Sequence, residues 1–277
     1  MNSSSGLPIH ADPTAALGIR AAPHLDLLDA ITAFEAELRR TEGIAHIEYF
    51  KLGTEEEGLD FGEIAYVRSV LPPGADILVK IGGPCARADI RQARALGACG
   101  IIAPMVESEY GLVRFVEAAT EVFGTDARAR IGINVETRTA WRALPAMLGD
   151  AAARKLTFVN VGRSDLAASL GARVSDETTH AAVCDIVQQV AVRGLPAMVG
   201  GNVTVASLRP LVERVTLAGF QTRCVAFRLG PGAELERIVP QALQLEIALM
   251  RVLAARFPER AADHLARAHV ATARIGV

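Results

Sequence analysis

Two acidic residues follow short apolar runs that are typical of buried strands. Glu136 ends the run RIGINVE (130–136), and Asp165 comes shortly after the run LTFVNVG (156–162). If these runs are neighbouring strands of a parallel barrel, both carboxylates point to one place beyond the strand ends. Two carboxylates completed by water suit a hard octahedral cation. The sequence therefore predicts a site for Mg²⁺, Mn²⁺ or another divalent cation at Glu136 and Asp165.

Each of these acids also has a structural interpretation when it is considered alone. A glutamate at a strand end often stabilises the positive end of the following helix, and Asp165 before the segment LAASL resembles a helix cap. The metal hypothesis therefore depends on the two acids occurring together.

Basic groups lie near the ends of other apolar runs. Lys51 and Lys80 each stand late in such a run, and Arg163 directly follows another. Lys80 and Arg163 are predicted to stabilise negative charge on a substrate. The glycines Gly82 and Gly83 allow backbone N–H groups to approach an oxyanion closely. A desolvated lysine is also a possible nucleophile, so a metal-free mechanism through a Schiff base on Lys51 or Lys80 is an alternative.

Three consecutive glutamates follow the first run, in the loop GTEEEG (53–58). Such a triplet is typical of a solvated turn. As a functional hypothesis, Glu55 or Glu57 carries a proton during catalysis. This role requires a pKa that burial or like-charged neighbours raise towards neutrality.

Seven apolar runs alternate with longer segments of helical periodicity, which indicates β–α–β units in a parallel sheet. The runs are 47–52, 77–81, 100–105, 130–136, 156–162, 196–201 and 223–229. They are apolar throughout, as expected when both faces of a sheet are buried. We predict a TIM (β/α)8-type barrel, with a doubly wound open sheet as the alternative. The one candidate for an eighth strand, AALGIR (15–20), is weak, so an atypical or missing first strand is expected.

The chain is predicted to form one domain. Residues 1–24 are expected to be flexible, and 25–277 form the barrel domain, which begins with a helix over 25–40. A helical extension from about 234 to 277 carries more apolar surface than a solvent-facing tail should. It either completes the outer ring of the barrel or packs on a neighbouring subunit, and we expect a homo-oligomer.

Composition limits the classes of partner. The 29 Lys and Arg against 31 Asp and Glu give a net charge of -2, which offers no reason to expect nucleic acid or an acidic membrane surface. The four cysteines are scattered and predict neither a zinc cluster nor a disulfide framework. No apolar run is long enough to span a membrane. We expect a cytoplasmic protein that binds a small molecule.

Four segments together resemble a known family: KIGGPCARADI, GIIAPMVESEYGL, INVETRTA and VGRSDLAASLG. In this order they are similar to the HpcH/HpaI aldolase and citrate lyase β-subunit family, within the pyruvate/phosphoenolpyruvate-binding TIM-barrel superfamily. The resemblance covers about 47 to 227. The chain looks like a divergent branch of that family.

The resemblance implies a metal-dependent carbon–carbon lyase or aldolase, or the reverse condensation. The family's metal-binding glutamate and aspartate transfer to Glu136 and Asp165. The cation would bind a 2-oxo acid such as pyruvate or oxaloacetate and stabilise its enolate, and the second substrate would be an aldehyde or acyl compound. Residues expected to contact the substrate are Gly82, Glu107, Asn134, Gly162 and Ser164.

The chain departs from the family pattern at two places. Many members have a Glu-His pair where this sequence reads GTEEEG, and the family's substrate-binding arginine appears here as Lys80. Two further alternatives stand beside the aldolase. One is a CoA-thioester lyase of the same superfamily; the other, suggested by the missing Glu-His pair, is a non-catalytic relative that uses the pocket for binding.

Overall fold

A computed structural model of the chain describes residues 26–42, 47–124 and 126–276. Within them, eight strands form one closed barrel in chain order. The strands are β1 (Ile47–Gly53), β2 (Ile77–Lys80), β3 (Gly100–Ala103), β4 (Arg130–Val135), β5 (Phe158–Gly162), β6 (Ala197–Gly200), β7 (Gly219–Gln221) and β8 (Val225–Arg228). The predicted TIM-type barrel is confirmed, and the open-sheet alternative is wrong.

Helices surround the barrel. Those in the described ranges are α1 (Leu27–Glu42), α2 (Phe61–Val70), α3 (Arg87–Ala95), α4 (Glu109–Phe123), α5 (Arg138–Gly149), α6 (Arg163–Leu170), α7 (Glu177–Val192), α8 (Val205–Val212), α9 (Leu235–Arg256) and α10 (Ala261–Thr272). Side chains at the expected cap positions fix several starts. Asp60 and Thr204 form capping boxes with α2 and α8, and Ser108 and Thr137 each accept a backbone N–H of the helix that follows.

The last strand runs against all the others. Strands β1 to β7 are mutually parallel, but β8 pairs antiparallel with both β7 and β1. Only the three residues Thr222 to Cys224 separate β7 from β8, so no crossover helix joins these two strands. The barrel is therefore closed by a hairpin.

The expectation of an atypical first strand is wrong for the barrel as the structure describes it. The predicted run 223–229 is the eighth strand, and the strand that sequence analysis missed is β7. Its three residues, Gly-Phe-Gln, are too few to produce a recognisable apolar run. The weak candidate 15–20 and the predicted flexible segment 1–24 lie outside the described residues.

Side chains inside the barrel form an apolar layer below a polar one. The apolar layer consists of Tyr49, Leu78, Ile102, Phe158, Met198 and Ala226. Because successive side chains of a strand alternate between faces, a step of two residues towards the carboxyl end stays inside the barrel. That step leads from Tyr49 to Lys51, from Leu78 to Lys80 and from Phe158 to Asn160. The strands thus place charged and amide groups at the mouth, above a closed apolar floor.

The C-terminal helices pack on the rest of the fold, as one of the two sequence-based alternatives stated. Helix α9 packs against α1, α8 and α10. It is long and apolar enough to cross a membrane by length and composition, but 72% of its most apolar window is buried inside the molecule. This burial is typical of a core helix in a globular fold.

Helix α10 is held against α2 and the loop that precedes α2 by a largely buried cluster, which we call the α10 anchor. It consists of Glu63, Arg260 and His264. Glu63 and His264 are fully buried, and His264 Nε2 lies 2.6 Å from Glu63 Oε1. Arg260 donates to the other Glu63 oxygen and to the carbonyl of Gly58. The anchor therefore places α10 beside the mouth of the barrel.

Candidate active site

A cavity of about 1030 Å³ opens at the carboxyl ends of the parallel strands. Eight of the residues predicted from sequence line it. They are Lys51, Glu57, Lys80, Asn134, Glu136, Gly162, Ser164 and Asp165. The carboxyl-terminal mouth of a barrel of this type is where reactive groups collect, because the loops there vary while the opposite face maintains the fold.

Glu136 is a buried carboxylate directly after β4, with 2% of its surface exposed. Its Oε1 accepts the Met105 backbone N–H at 3.0 Å, and its Oε2 accepts Asn134 Nδ2 at 2.9 Å. Asn160 in turn donates to Asn134 Oδ1 at 3.0 Å. Gly162 packs so closely that a Cβ there would lie 2.6 Å from Glu136 Oε2. These contacts fix the direction of the Glu136 carboxylate.

Asp165 lies in the first turn of α6 and lines the same cavity as Glu136. Burial raises the pKa of Glu136, and the negative charge of Asp165 raises it further against the opposing effect of Lys80. The strand order therefore brings the two predicted metal ligands to one place. A raised pKa means that the Glu136 carboxylate lacks full charge compensation from the protein.

The donors in the cavity fit a hard divalent cation. Among the described residues, no group of three or more His, Cys, Asp or Glu side chains is placed to hold a metal. The carboxylates of Glu136 and Asp165 and the nearby amide oxygens of the cavity wall are oxygen ligands of the kind that Mg²⁺ accepts when water and substrate complete its coordination shell. The buried Asn160 Oδ1 also has no hydrogen-bond partner among the described residues.

Glu57 lies between the two lysines of the cavity. Its Oε1 is 2.8 Å from Lys51 Nζ, and its Oε2 is 3.9 Å from Lys80 Nζ. Burial by itself raises the pKa of Glu57, but the charges of Lys51 and Lys80 outweigh burial and lower it to about 2. Glu57 is accordingly ionised at neutral pH.

This ionisation argues against Glu57 as the predicted proton carrier, because that role needs a pKa raised towards neutrality. The loop wraps Glu57 back onto its own strand, where a Cβ on Gly53 would lie 2.2 Å from Glu57 Oε2. Glu57 therefore orients and neutralises the lysines. Glu55, the other predicted carrier, is exposed and lies outside the cavity, next to Gly82.

Arg163 does not reach the cavity. Its side chain is fully buried, and its guanidinium donates to the carbonyls of Gly200, Gly201 and Ser207 at 3.0, 2.7 and 2.9 Å. Burial lowers its pKa to about 10, so it remains charged at neutral pH. The geometry therefore corrects its predicted catalytic role: Arg163 holds the loop between β6 and α8.

Two further predicted contacts also lie outside the cavity. The Gly82 N–H donates to Asp89 Oδ2 at 2.8 Å, which removes it from the expected oxyanion site. Glu107 is exposed and accepts the hydroxyl of Thr137, the residue that caps α5. Both residues act in the structure of their own loops.

The cavity also contains residues that sequence analysis missed. Asn160 had a detectable signal, since it is a polar residue within an apolar run and stands two positions before Gly162. Arg223 and Arg274 line the cavity without any such signal. Arg223 comes from the turn between β7 and β8, and Arg274 follows α10. Neither residue can be assigned to the cavity from sequence, because both positions depend on the antiparallel direction of β8.

Solved structures share this architecture. An HpcH/HpaI aldolase from Desulfitobacterium hafniense matches with a TM-score of 0.55 and 18% identity, over 68% of this chain and 82% of that one. An HpcH/HpaI aldolase/citrate lyase family protein from Burkholderia cenocepacia matches with a TM-score of 0.54 and 16% identity, over 69% and 84%. A citrate lyase from Burkholderia xenovorans matches with a TM-score of 0.54 and 14% identity, over 89% and 92%.

The fold is that of the HpcH/HpaI aldolase and citrate lyase structures. The resemblance predicted from four sequence segments is thus confirmed in three dimensions. No family model matches the sequence, and no curated protein matches it significantly. The likeness is therefore one of fold, at sequence identities of 14 to 18%.

Proposed function

We propose that this protein is a carbon–carbon lyase of the HpcH/HpaI aldolase and citrate lyase family that acts on a 2-oxo acid with the aid of a divalent cation. The observation that carries the proposal is the meeting of Glu136 and Asp165 in one cavity, at the mouth of a barrel with this fold. The co-substrate class is an aldehyde or an acyl compound. A homo-oligomer and a cytoplasmic location belong to the same proposal.

Glu136 and Asp165 would hold the cation, with Asn134 and Asn160 keeping the Glu136 carboxylate in place. When bound, a divalent cation supplies stabilisation of the negative charge that develops on the keto oxygen of a 2-oxo acid. Because the protein leaves the burial of Glu136 only partly compensated, the site favours a positive ligand.

The N-terminus of α6 is suited to the carboxylate of the 2-oxo acid. Gly162 precedes the helix and offers no side-chain cap, so the first backbone N–H groups of α6 remain available. Gly162 and Ser164 line the cavity, and a helix N-terminus favours an anion. This arrangement orients a small acid without requiring the arginine that the family pattern places at Lys80.

Lys80 supplies positive charge near Glu57 and Glu136, two of the acidic residues of the cavity. It lies 3.9 Å from Glu57, and its charge also lowers the pKa of Glu136. A buried ammonium at this point stabilises negative charge on the reacting oxygen more strongly than it would in water. Glu57 keeps Lys51 and Lys80 in fixed positions for this purpose.

The decisive test combines cation binding with turnover. We expect calorimetry to detect Mn²⁺ or Mg²⁺ binding to the native chain, with binding reduced at least tenfold in both Glu136→Gln and Asp165→Asn. Aldol addition of pyruvate to a panel of aldehydes should fall in parallel and be abolished by EDTA. Glu107→Gln is the matched control, since Glu107 is an acid outside the cavity. Unchanged cation affinity in both cavity variants would exclude the proposal.

The Schiff-base alternative is less well supported by the geometry. A nucleophilic lysine must be neutral, yet Lys51 forms a 2.8 Å ion pair with Glu57. Borohydride reduction in the presence of pyruvate separates the two mechanisms. We expect no mass adduct on Lys51 or Lys80. A stoichiometric adduct, with activity insensitive to EDTA, would select the Schiff base.

A further inference from the structure

We infer that Arg223 and Arg274 form a second anion-binding subsite in the cavity, which selects a co-substrate carrying a terminal carboxylate or phosphate. This inference rests on the proposed function, because it names the class of the second substrate. Both arginines line the cavity that contains Glu136 and Asp165, and nothing else in the proposed mechanism uses them.

A buried carboxylate is bonded to both arginines. Glu246, in the middle of α9, is fully buried. Its Oε2 accepts the backbone N–H of Arg223 at 2.6 Å, and its Oε1 accepts Arg274 Nη2 at 3.2 Å. The backbone of one arginine and the guanidinium of the other are thereby fixed to a single group. Such rigid placement limits the entropy lost when a ligand binds.

Arg223 differs from the other cations of the cavity in its charge balance. Lys51 and Lys80 face Glu57, Arg173 pairs with Asp176 at 3.0 Å, and Arg274 pairs with Glu246. By contrast, Arg223 forms no ion pair with any residue that the structure describes. One of its side-chain contacts is a donation to the backbone carbonyl of Glu56, which carries no net charge.

The consequence is an oriented guanidinium with spare donors and an unbalanced charge at the cavity wall. Arginine presents five N–H donors in a planar fork, which matches carboxylate and phosphate geometry. The Glu56 carbonyl uses part of the fork. The remaining donors, together with those left free on Arg274, suit an oxyanion.

The size of the cavity leaves room for a second substrate. Pockets that bind drug-sized ligands have volumes of roughly 300 to 1,000 Å³. This cavity, at about 1030 Å³, is as large as the largest of them. A three-carbon acid at Glu136 and Asp165 fills only a small part of it. The remaining volume has room for a co-substrate whose non-reacting end contacts Arg223 and Arg274.

The test compares co-substrates that differ only in a terminal charge. With pyruvate and Mg²⁺, the native chain should prefer 5-oxopentanoate over pentanal, or glyceraldehyde 3-phosphate over glyceraldehyde, in kcat/KM. The pair with the larger preference identifies carboxylate or phosphate as the terminal group. Arg223→Gln removes the charge but keeps a donor for the Glu56 carbonyl. We expect it to reduce the preference about ten- to a hundredfold, because a hydrogen bond to a charged group contributes a free energy of that size. The kcat/KM for the uncharged aldehyde should change little.

Arg173→Gln is the matched control, because Arg173 lines the same cavity but is paired with Asp176. It should retain the preference. Arg274→Lys, which keeps a positive charge beside Glu246, should lower the preference less than Arg223→Gln. If native protein shows no preference, or if Arg173→Gln and Arg223→Gln reduce it equally, the subsite is refuted.

A binding measurement separates this inference from the proposed function. Glutarate and inorganic phosphate are titrated into the native chain by calorimetry, with no turnover required. If no aldehyde reacts but Arg223→Gln removes binding of either anion, the subsite stands and the lyase proposal fails. If neither anion binds to the native chain, the subsite is refuted whatever the turnover results.

Discussion

The ionisation of Glu57 shows how individual charges in the cavity depend on one another. Two lysines lower its pKa to about 2 although the side chain is buried. An acid with a folded-state pKa below its ordinary value stabilises the fold at pH values above that ordinary value. This stabilisation is lost as the pH falls towards the folded-state pKa.

We therefore expect Glu57→Gln to be less stable than the native protein by about 3 kcal/mol at pH 7, since a shift of this size corresponds to that free energy. The difference should narrow as the pH falls below 4.5, the ordinary value for glutamate. Urea unfolding followed by circular dichroism over pH 7 to 3 measures it. Glu56→Gln, an exposed neighbour, is the control. Equal stability of native and Glu57→Gln at pH 7 would contradict the ion-pair account.

For individual residues, the sequence predicted location well when the location follows from the position of the residue at the end of a strand. Glu136 and Asp165 could be placed because strand ends meet at the mouth of a barrel. The roles of Arg163 and Glu57 could not be read from sequence, because they depend on which groups come within hydrogen-bond or ion-pair distance after folding. Arg163 donates to three carbonyls and to the Ser207 hydroxyl, and Glu57 meets two lysines.

Among the helices, α10 depends on the α10 anchor for its position. Its contacts include the buried pair of His264 and Glu63, which lies in α2. Arg260, directly before α10, donates to Gly58 in the loop between β1 and α2. The same loop carries Glu57, so the anchor connects the last helix to the lysines of the cavity. A change in the anchor should therefore affect both stability and the cavity wall.

His264→Ala should lower the free energy of unfolding by roughly 2 to 4 kcal/mol, because it removes a fully buried hydrogen-bond partner of a buried carboxylate. Hydrogen exchange should also show faster exchange across Ala261–Thr272 than in the native chain. Arg237→Ala is the control, since its pair with Glu234 is exposed and worth less than about 1 kcal/mol. Native-like exchange in α10 of His264→Ala would show that the anchor does not hold this helix.

Prediction of the elements from sequence succeeded for long periodic segments and failed for one short strand. The runs that became β1 to β6 are continuous and apolar. Of the helices between them, α2, α4 and α5 begin at side-chain caps. β7 has three residues, and one of them is glycine. Its existence is determined by pairing with β6 and β8, which local sequence does not encode.

For the molecule as a whole, closure of the barrel depends on close packing at the hairpin. A Cβ on Gly219, in β7, would lie 2.2 Å from the carbonyl oxygen of Phe227, in β8. Backbone atoms of paired strands cannot move aside as a flexible side chain can. Glycine is therefore required at this position.

Gly219→Ala should destabilise the barrel by at least about 2 kcal/mol through overpacking. Thermal unfolding of the variant measures the effect. Gly230→Ala is a close control, because a Cβ at Gly230 meets no atom within 4 Å. Similar melting temperatures for the two variants would mean that the hairpin is not packed as the structure shows.

The reversed direction of β8 also determines which part of the chain can evolve new selectivity. Strand β8 runs away from the mouth of the barrel, so α9 runs back towards it. Glu246, in the middle of α9, contacts Arg223 in the β7–β8 turn. The segment after α10 therefore lies at the opening, and Arg274 forms part of its wall. Substitutions in this segment can accordingly change which molecules enter while leaving the strands, and with them the folding of the barrel, untouched.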